Sequence, residues 1–189
     1  VKAVFDQISQ KFGGVDILIS NAGFAIQSSL DELTKKQLDS SFDLNFFAHH
    51  YFVKHGTKIM KIQNMKGSVV FNISKQAVNP GPNFGAYGLP KATLMFLMKQ
   101  YVVESSKYGI RFNGINADRI RSGLLNPDMI AKRAKSRGLT IEQYMAGNLL
   151  KEEVKASDVA DAFYHLSISY RTTASVITVD GGNIESSLR

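Results

Sequence analysis

The sequence predicts an α/β protein built on a parallel sheet. Three observations carry that expectation. Short apolar runs with polar ends, at residues 15–20, 68–73, 111–117 and 175–180, have the length and composition of buried strands. Longer amphipathic stretches lie between them, and Gly13-Gly14 and Gly109 fall where such helices would stop. Strands that alternate with helices form parallel sheets, since each crossover needs a helix's length to return.

Taken in order, residues 1–12 read as an amphipathic helix, followed by the strand at 15–20 and a loop from Asn21 to Ser28. Ser29 or Asp31 is placed to cap a short helix over 30–36. A longer helix follows over 37–65, where Leu38, Phe42, Phe46, Phe52, Ile59 and Ile62 recur on related faces. After the second strand comes a loop rich in Asn, Pro and Gly (75–85), then a helix over 85–108 and the third strand. Polar, helix-forming sequence fills 127–150, and another helix around 158–166 leads to the last strand. With 189 residues, no internal repeat and no linker-like stretch, one domain with a substantial core is expected over 1–189.

Composition narrows the classes. Apolar residues make up 44% and charged residues 21%, an ordinary globular balance. The absence of cysteine excludes disulfides and thiolate metal sites and is compatible with a reducing cytoplasm. No apolar run approaches the roughly eighteen residues of a membrane span, and no signal peptide is visible, so no membrane partner is expected. The net charge of +7 would suit nucleic acid, but no motif or aromatic interleaving accompanies it. Its densest run, Lys132-Arg133-Ala134-Lys135-Ser136-Arg137, reads as a solvated helix face. His49, His50, His55 and His165 lack a carboxylate cluster, and the adjacent pair points in different directions from a helix, so no metal site is expected. Met95, Phe96, Leu97 and Met98 read as core or subunit-interface material.

The chemistry centres on Tyr87 and Lys91. Four residues apart on one helix, a phenol and an ammonium share a face and can reach one ligand. A cation beside a phenol favours the phenolate and eases proton transfer near neutral pH. Ser74, thirteen residues upstream at a strand end, offers a hydroxyl to hold a substrate oxygen while Tyr87 moves its proton. Carbonyl–alcohol interconversion needs that set. Tyr-x-x-x-Lys alone is a weak signal, and its companions carry the weight.

Those companions are Asn21-Ala22-Gly23 after the first strand, Asn45 in the following helix, Ser74, Tyr87 with Lys91, and the late Asp180-Gly181-Gly182. Together and at these spacings, end to end, the chain resembles the short-chain dehydrogenase/reductase family. The resemblance implies a doubly wound, Rossmann-like sheet and an NAD(P)-dependent oxidoreductase acting on a secondary alcohol, hydroxy-aldehyde or sugar-derived carbonyl. It assigns catalysis to Asn45, Ser74, Tyr87 and Lys91: Asn45 breaks the regular turn of its helix and supports a proton-relay water. Lys91 lowers the phenol pKa and bonds the nicotinamide ribose. Cofactor contacts fall to Asn21, Ala22, Gly23, Tyr87, Lys91, Ile120 and Ser122, with NAD or NADP as the cofactor. Asn21 is also placed to bridge neighbouring strands.

By the same resemblance, the family's opening strand, Gly-rich turn and helix have no counterpart ahead of Val1. The expectation is therefore the C-terminal part of a domain, with the first βαβ portion missing and the strand at 15–20 left as an open edge. Helices 37–65 and 85–108 are the family's usual subunit interface, so a homo-oligomer is expected, with edge pairing as a second contact. Three departures from the family pattern matter. Pro90 precedes the lysine, so the helix either starts near Tyr87 or is kinked there. Asp118-Arg119 stands where Pro-Gly is usual, and Thr173-Ala174 where Thr-Gly is commoner. The stretches 72–91, 116–125 and 182–189 resemble the dehydrogenase part of bifunctional aldolase/dehydrogenase proteins, which implies an aldolase domain upstream. A noncatalytic remnant that binds itself or another subunit is the alternative reading.

Overall fold

The computed structural model describes residues 1–183. Four strands, β1 (Ile17–Ser20), β2 (Gly67–Asn72), β3 (Ile110–Ala117) and β4 (Val176–Val179), form one all-parallel sheet in sequence order. The register pairs Ile17 with Ser68, Gly67 with Ile110 and Gly114 with Val176. Each strand starts within two residues of its predicted position. The Ile184–Arg189 part of the 182–189 motif lies outside the described residues.

Seven helices complete the chain among the described residues: α1 (Lys2–Phe12), α2 (Lys35–Phe42), α3 (Ala48–Gln63), α4 (Gly85–Ser105), α5 (Pro127–Ser136), α6 (Ile141–Met145) and α7 (Ala156–Ile168). Strand alternation decides which side chains meet which layer. Leu18, Val69, Phe71, Ile110 and Phe112 point to one face and form a core with Phe5, Val53, Met60, Leu94 and Met98 from α1, α3 and α4. Val70 and Ile115 point to the other face and pack with Val159 and Leu166 of α7. The sheet is thus covered on both sides, as a parallel sheet with crossover helices must be. Cover on the α7 side stops short of β1, leaving Ile17 and Ile19 at 50% and 40% exposure.

Two expectations are corrected. Residues 30–34 form no helix and 35–36 already open α2: Thr34, not Ser29 or Asp31, is the cap, and with Gln37 it closes a capping box there. The predicted helix at 37–65 begins two residues earlier and is interrupted. Residues Asp43–Phe47 form a π-helical turn joining α2 to α3, in which the Ala48 amide reaches back to the Asp43 carbonyl. Pro90 lies in the second turn of α4, close to its start at Gly85.

Candidate active site

The carboxyl ends of the strands open into a cavity of 1090 Å³. It lies where parallel α/β sheets place their ligands, because strand ends and helix starts converge there. Ser74, Tyr87 and Lys91 line it, as do Asn21, Ala22, Gly23, Ile120 and Ser122. Asn45 does not. It sits fully buried behind the cavity, within the π-helical turn.

Ser74 follows β2 and caps a single 3₁₀ turn, its hydroxyl accepting the Gln76 amide at 3.2 Å. That turn packs against α4 at Gly88, where a Cβ would lie 3.1 Å from the Gln76 carbonyl oxygen. A side chain there would push the turn back by a few tenths of an ångström, so glycine permits the close approach. The close approach brings the Ser74 hydroxyl to the Tyr87 phenol, where it favours the ionised form. Burial outweighs it and raises the phenol pKa above the ordinary tyrosine value. In the resting site burial governs the phenol, and the expected effect of Lys91 does not figure among the causes. The Lys91 ammonium stands 5.8 Å from the phenol ring centroid and donates to the Asn72 carbonyl at 2.8 Å. Burial pulls its own pKa down to about 7. Near neutral pH the pair is therefore a protonated phenol beside an amine that titrates there.

Asn45 fixes the opposite loop. Its amide nitrogen donates to the Phe24 carbonyl (2.9 Å) and to the Ser41 hydroxyl (2.9 Å), while its oxygen accepts the Phe24 amide (3.2 Å). A Cβ at Gly23 would meet that oxygen at 3.1 Å and the Lys91 nitrogen at 3.7 Å, so the backbone there runs close to both. Asn21 ties two strand ends, its oxygen accepting from the Asn72 side chain at 2.6 Å.

Sequence reasoning missed His49. Set aside with the other histidines as a metal ligand, it is nearly fully buried one turn beyond Asn45 and holds the same loop. Nε2 lies 2.8 Å from the Ala22 carbonyl and Nδ1 2.6 Å from the Ser20 hydroxyl. A carbonyl only accepts, so Nε2 carries the proton and Nδ1 accepts from Ser20. Desolvation, aided by the nearby Lys91 charge, lowers its pKa to about 4. The signal was Ser20: a hydroxyl directly before Asn21-Ala22-Gly23 needs a partner when buried, and His49 supplies it.

The loop after β3 is the least regular wall. Arg119 adopts a left-handed conformation (φ 52°) where the family pattern would have glycine. It is held by donation to the Tyr144 carbonyl (2.8 Å) and by its approach to Asp118 (3.4 Å). Asp118 also meets Lys75 at 3.5 Å. The Ser122 hydroxyl is engaged locally, donating to the Ile120 carbonyl and accepting the Leu125 amide. The expected solvated face of α5 holds for Lys132, Lys135, Ser136 and Arg137, which are exposed, and needs correcting at Arg133. Arg133 turns inward to stand over the Phe84 ring at 4.5 Å, and both Arg133 and Arg137 line the cavity. No cluster of His, Cys, Asp or Glu among the described residues could hold a metal ion. No helix among them is long and apolar enough to cross a membrane.

The parallel sheet, covered by helices on both faces and opening at its carboxyl edge onto Ser74, Tyr87 and Lys91, places the chain among α/β proteins of Rossmann-like fold. The family model described as Enoyl-(Acyl carrier protein) reductase matches residues 1–183. The chain belongs to the short-chain dehydrogenase/reductase family, a family of oxidoreductases. It is 32% identical over 192 residues to the Uncharacterized oxidoreductase YuxG of Bacillus subtilis, covering 96% of this chain and 28% of that protein. Carveol dehydrogenase from Mycobacterium avium, solved with NAD, superposes with a TM-score of 0.88 at 24% identity, over 97% of this chain and 70% of that one. ElxO with NADP bound gives 0.85 at 22% identity, over 97% and 73%. These two structures show the shared Rossmann-like α/β fold.

Proposed function

We propose that the chain carries the proton-handling half of an NAD(P)-dependent oxidoreductase for secondary alcohols, hydroxy-aldehydes or sugar-derived carbonyls. The observation that carries this reading is the buried phenol of Tyr87 between the Ser74 hydroxyl and the Lys91 ammonium, facing a cavity with room for a nicotinamide and a small substrate. The donor set fits that cofactor: Asn21, Ala22, Gly23, Lys91, Ile120 and Ser122 give backbone and side-chain polar groups, and the bare Gly23 leaves the backbone open. When bound, the nicotinamide supplies or accepts the hydride.

The protein's own part is the proton. Ser74 donates a hydrogen bond to the substrate oxygen and holds it at the phenol. In reduction Tyr87 gives its Oη proton to that oxygen, and in oxidation the phenolate takes it back. Burial keeps the phenol protonated until substrate arrives. A charged Lys91 then stabilises the phenolate that donation leaves behind. Asn45 and the π-helical turn support the relay that returns a proton to the site, and His49 with Ser20 fixes the loop carrying Ala22 and Gly23.

The same proposal includes a longer aldolase–dehydrogenase parent and a cytoplasmic location, with 1–189 as one domain. The resemblance of the sequence stretches supports the aldolase part of the first point, and the YuxG relative, of which the chain spans 28%, supports only a longer parent. A homodimer through α3 and α4 is supported by Phe47, Tyr51, Phe96 and Val103, all exposed on the π turn and these helices. Sedimentation at micromolar concentration tests it: a monomer with no concentration dependence contradicts a dimer. The test of the activity is NAD(P)H-linked turnover by the full-length protein on a panel of small carbonyls. Tyr87→Phe is expected to lower the rate about 10²–10⁴-fold while nicotinamide binding persists. A wild-type-like rate would sink the assignment and favour the noncatalytic alternative.

A further inference from the structure

The cavity's cations divide into two groups. Most are already satisfied. Lys75 and Arg119 share Asp118, Arg121 pairs with Glu153, and Lys91 donates to the Asn72 carbonyl. Arg133 and Arg137 are different: none of the ion pairs among the described residues involves either. Arg133 goes further. Its Nε and Nη2 are buried and have no hydrogen-bond partner.

A guanidinium whose N–H groups are removed from water without acceptors is costly, and proteins seldom leave one so. The Phe84 face offsets part of that cost by cation–π attraction and fixes the plane of the group. Arg137 is held similarly, 5.2 Å from the Tyr144 ring centroid. Its Nη1 also donates to the Arg133 carbonyl, so the two side chains lie on neighbouring turns of one wall. Aromatic stacking holds the Arg133 guanidinium in place, and Nη1, which is not among its buried unpartnered atoms, is the edge donor left for a planar or tetrahedral anion. Among the described residues Asp118 is the one carboxylate lining the cavity and is already shared, so their field on this wall is positive.

Position gives the anion its role. Phe84 is the residue before α4, and Tyr87 stands three residues on, one helical turn away. We infer that Arg133, with Arg137 beside it, is a docking site for an anionic group on the substrate, a carboxylate or phosphate a few bonds from the reacting carbon. This inference rests on the oxidoreductase reading of the cavity. It narrows the substrate from any small carbonyl to a short anionic hydroxy- or oxo-compound, and assigns specificity to α5 rather than to the Ser74–Tyr87 side.

The test uses inorganic phosphate as probe, titrated calorimetrically into the full-length protein at constant ionic strength set with sodium chloride. Wild type is expected to bind phosphate saturably, and Arg133→Gln to weaken it at least tenfold. Arg133→Met, which keeps an unbranched stem over Phe84, should show the same loss if folding of the first variant is in question. Arg137→Gln should give a smaller loss. Tyr87→Phe should leave phosphate binding intact, so failure of the anion site is distinguishable from failure of the proposed chemistry. A second arm repeats the titration with saturating NADP. Retained phosphate binding supports a substrate subsite, whereas competitive displacement assigns the anion to the cofactor and overturns the inference. Absence of saturable binding, or equal binding by wild type and both Arg133 variants, overturns it outright.

Discussion

The two walls of the cavity are built by different means. On one, Ser74, Tyr87 and Lys91 are fixed by a strand end, a helix and the close contact at Gly88, with buried polar groups tied to main-chain carbonyls and amides. On the other, Arg119, Arg133 and Arg137 are held by aromatic faces and a loop with a left-handed arginine. The first wall is tied to main-chain groups and carries one buried amine that titrates near neutral pH, suited to a proton transfer that tolerates little displacement. The second is cationic and keeps donors in hand, suited to choosing a ligand. Chemistry and selection are therefore separable by mutation.

The largest expected effect comes from the first wall. Lys91→Met should lower turnover by about 10²-fold or more, since the phenolate loses its stabilising charge. It should also change the pH dependence of stability. The Lys91 pKa falls from 10.5 to about 7 on folding, so between those values the unfolded chain binds one proton more and stability rises with pH. The melting temperature of wild type relative to Lys91→Met should accordingly climb from pH 7 to pH 9. Parallel curves for the two proteins would refute the burial argument.

A second change loosens the loop facing that wall. His49 titrates at 6.5 unfolded and about 4 folded, so its contribution to stability is complete above pH 6.5 and disappears as pH falls towards 4. Below that range the imidazolium cannot accept from Ser20. His49→Gln, which keeps one donor and one acceptor, should flatten this acid limb in thermal melts between pH 4 and 6.5. An unchanged acid limb would assign the lability elsewhere.

The smallest effect lies away from both walls. Ala174 is held at φ 63°, in the left-handed region, while its amide donates to the Phe112 carbonyl at 2.9 Å. Ala174→Gly should raise stability by about 0.5–1 kcal/mol, because relief of Cβ strain exceeds the added chain entropy. Chemical denaturation measures it, and a loss of stability would contradict the strain argument.

The same contrast explains what could be read from the chain. The strands, α4 and the Ser74–Tyr87–Lys91 group were legible because periodicity and fixed spacing report on backbone geometry. The interruption at Asp43–Phe47 was legible only through the family resemblance, since a π turn leaves no composition signal of its own. Thr34 was overlooked because the capping box depends on Gln37, three residues on, rather than on the polar residue nearest the loop. Arg133 was misread because a basic run looks the same whether its side chains reach solvent or an aromatic ring brought from 49 residues away. Long-range partners of that kind are a property of the fold.

The most direct measurement is the ratio of kcat/KM for two matched carbonyl substrates, one bearing a carboxylate and one its neutral amide, in the full-length protein. Tyr87→Phe should lower both values about 10²–10⁴-fold and preserve the ratio. Arg133→Gln should collapse the wild-type preference for the anionic substrate by about tenfold or more. Wild-type turnover by Tyr87→Phe, or an unaltered ratio in Arg133→Gln, would contradict the division of labour between the two walls.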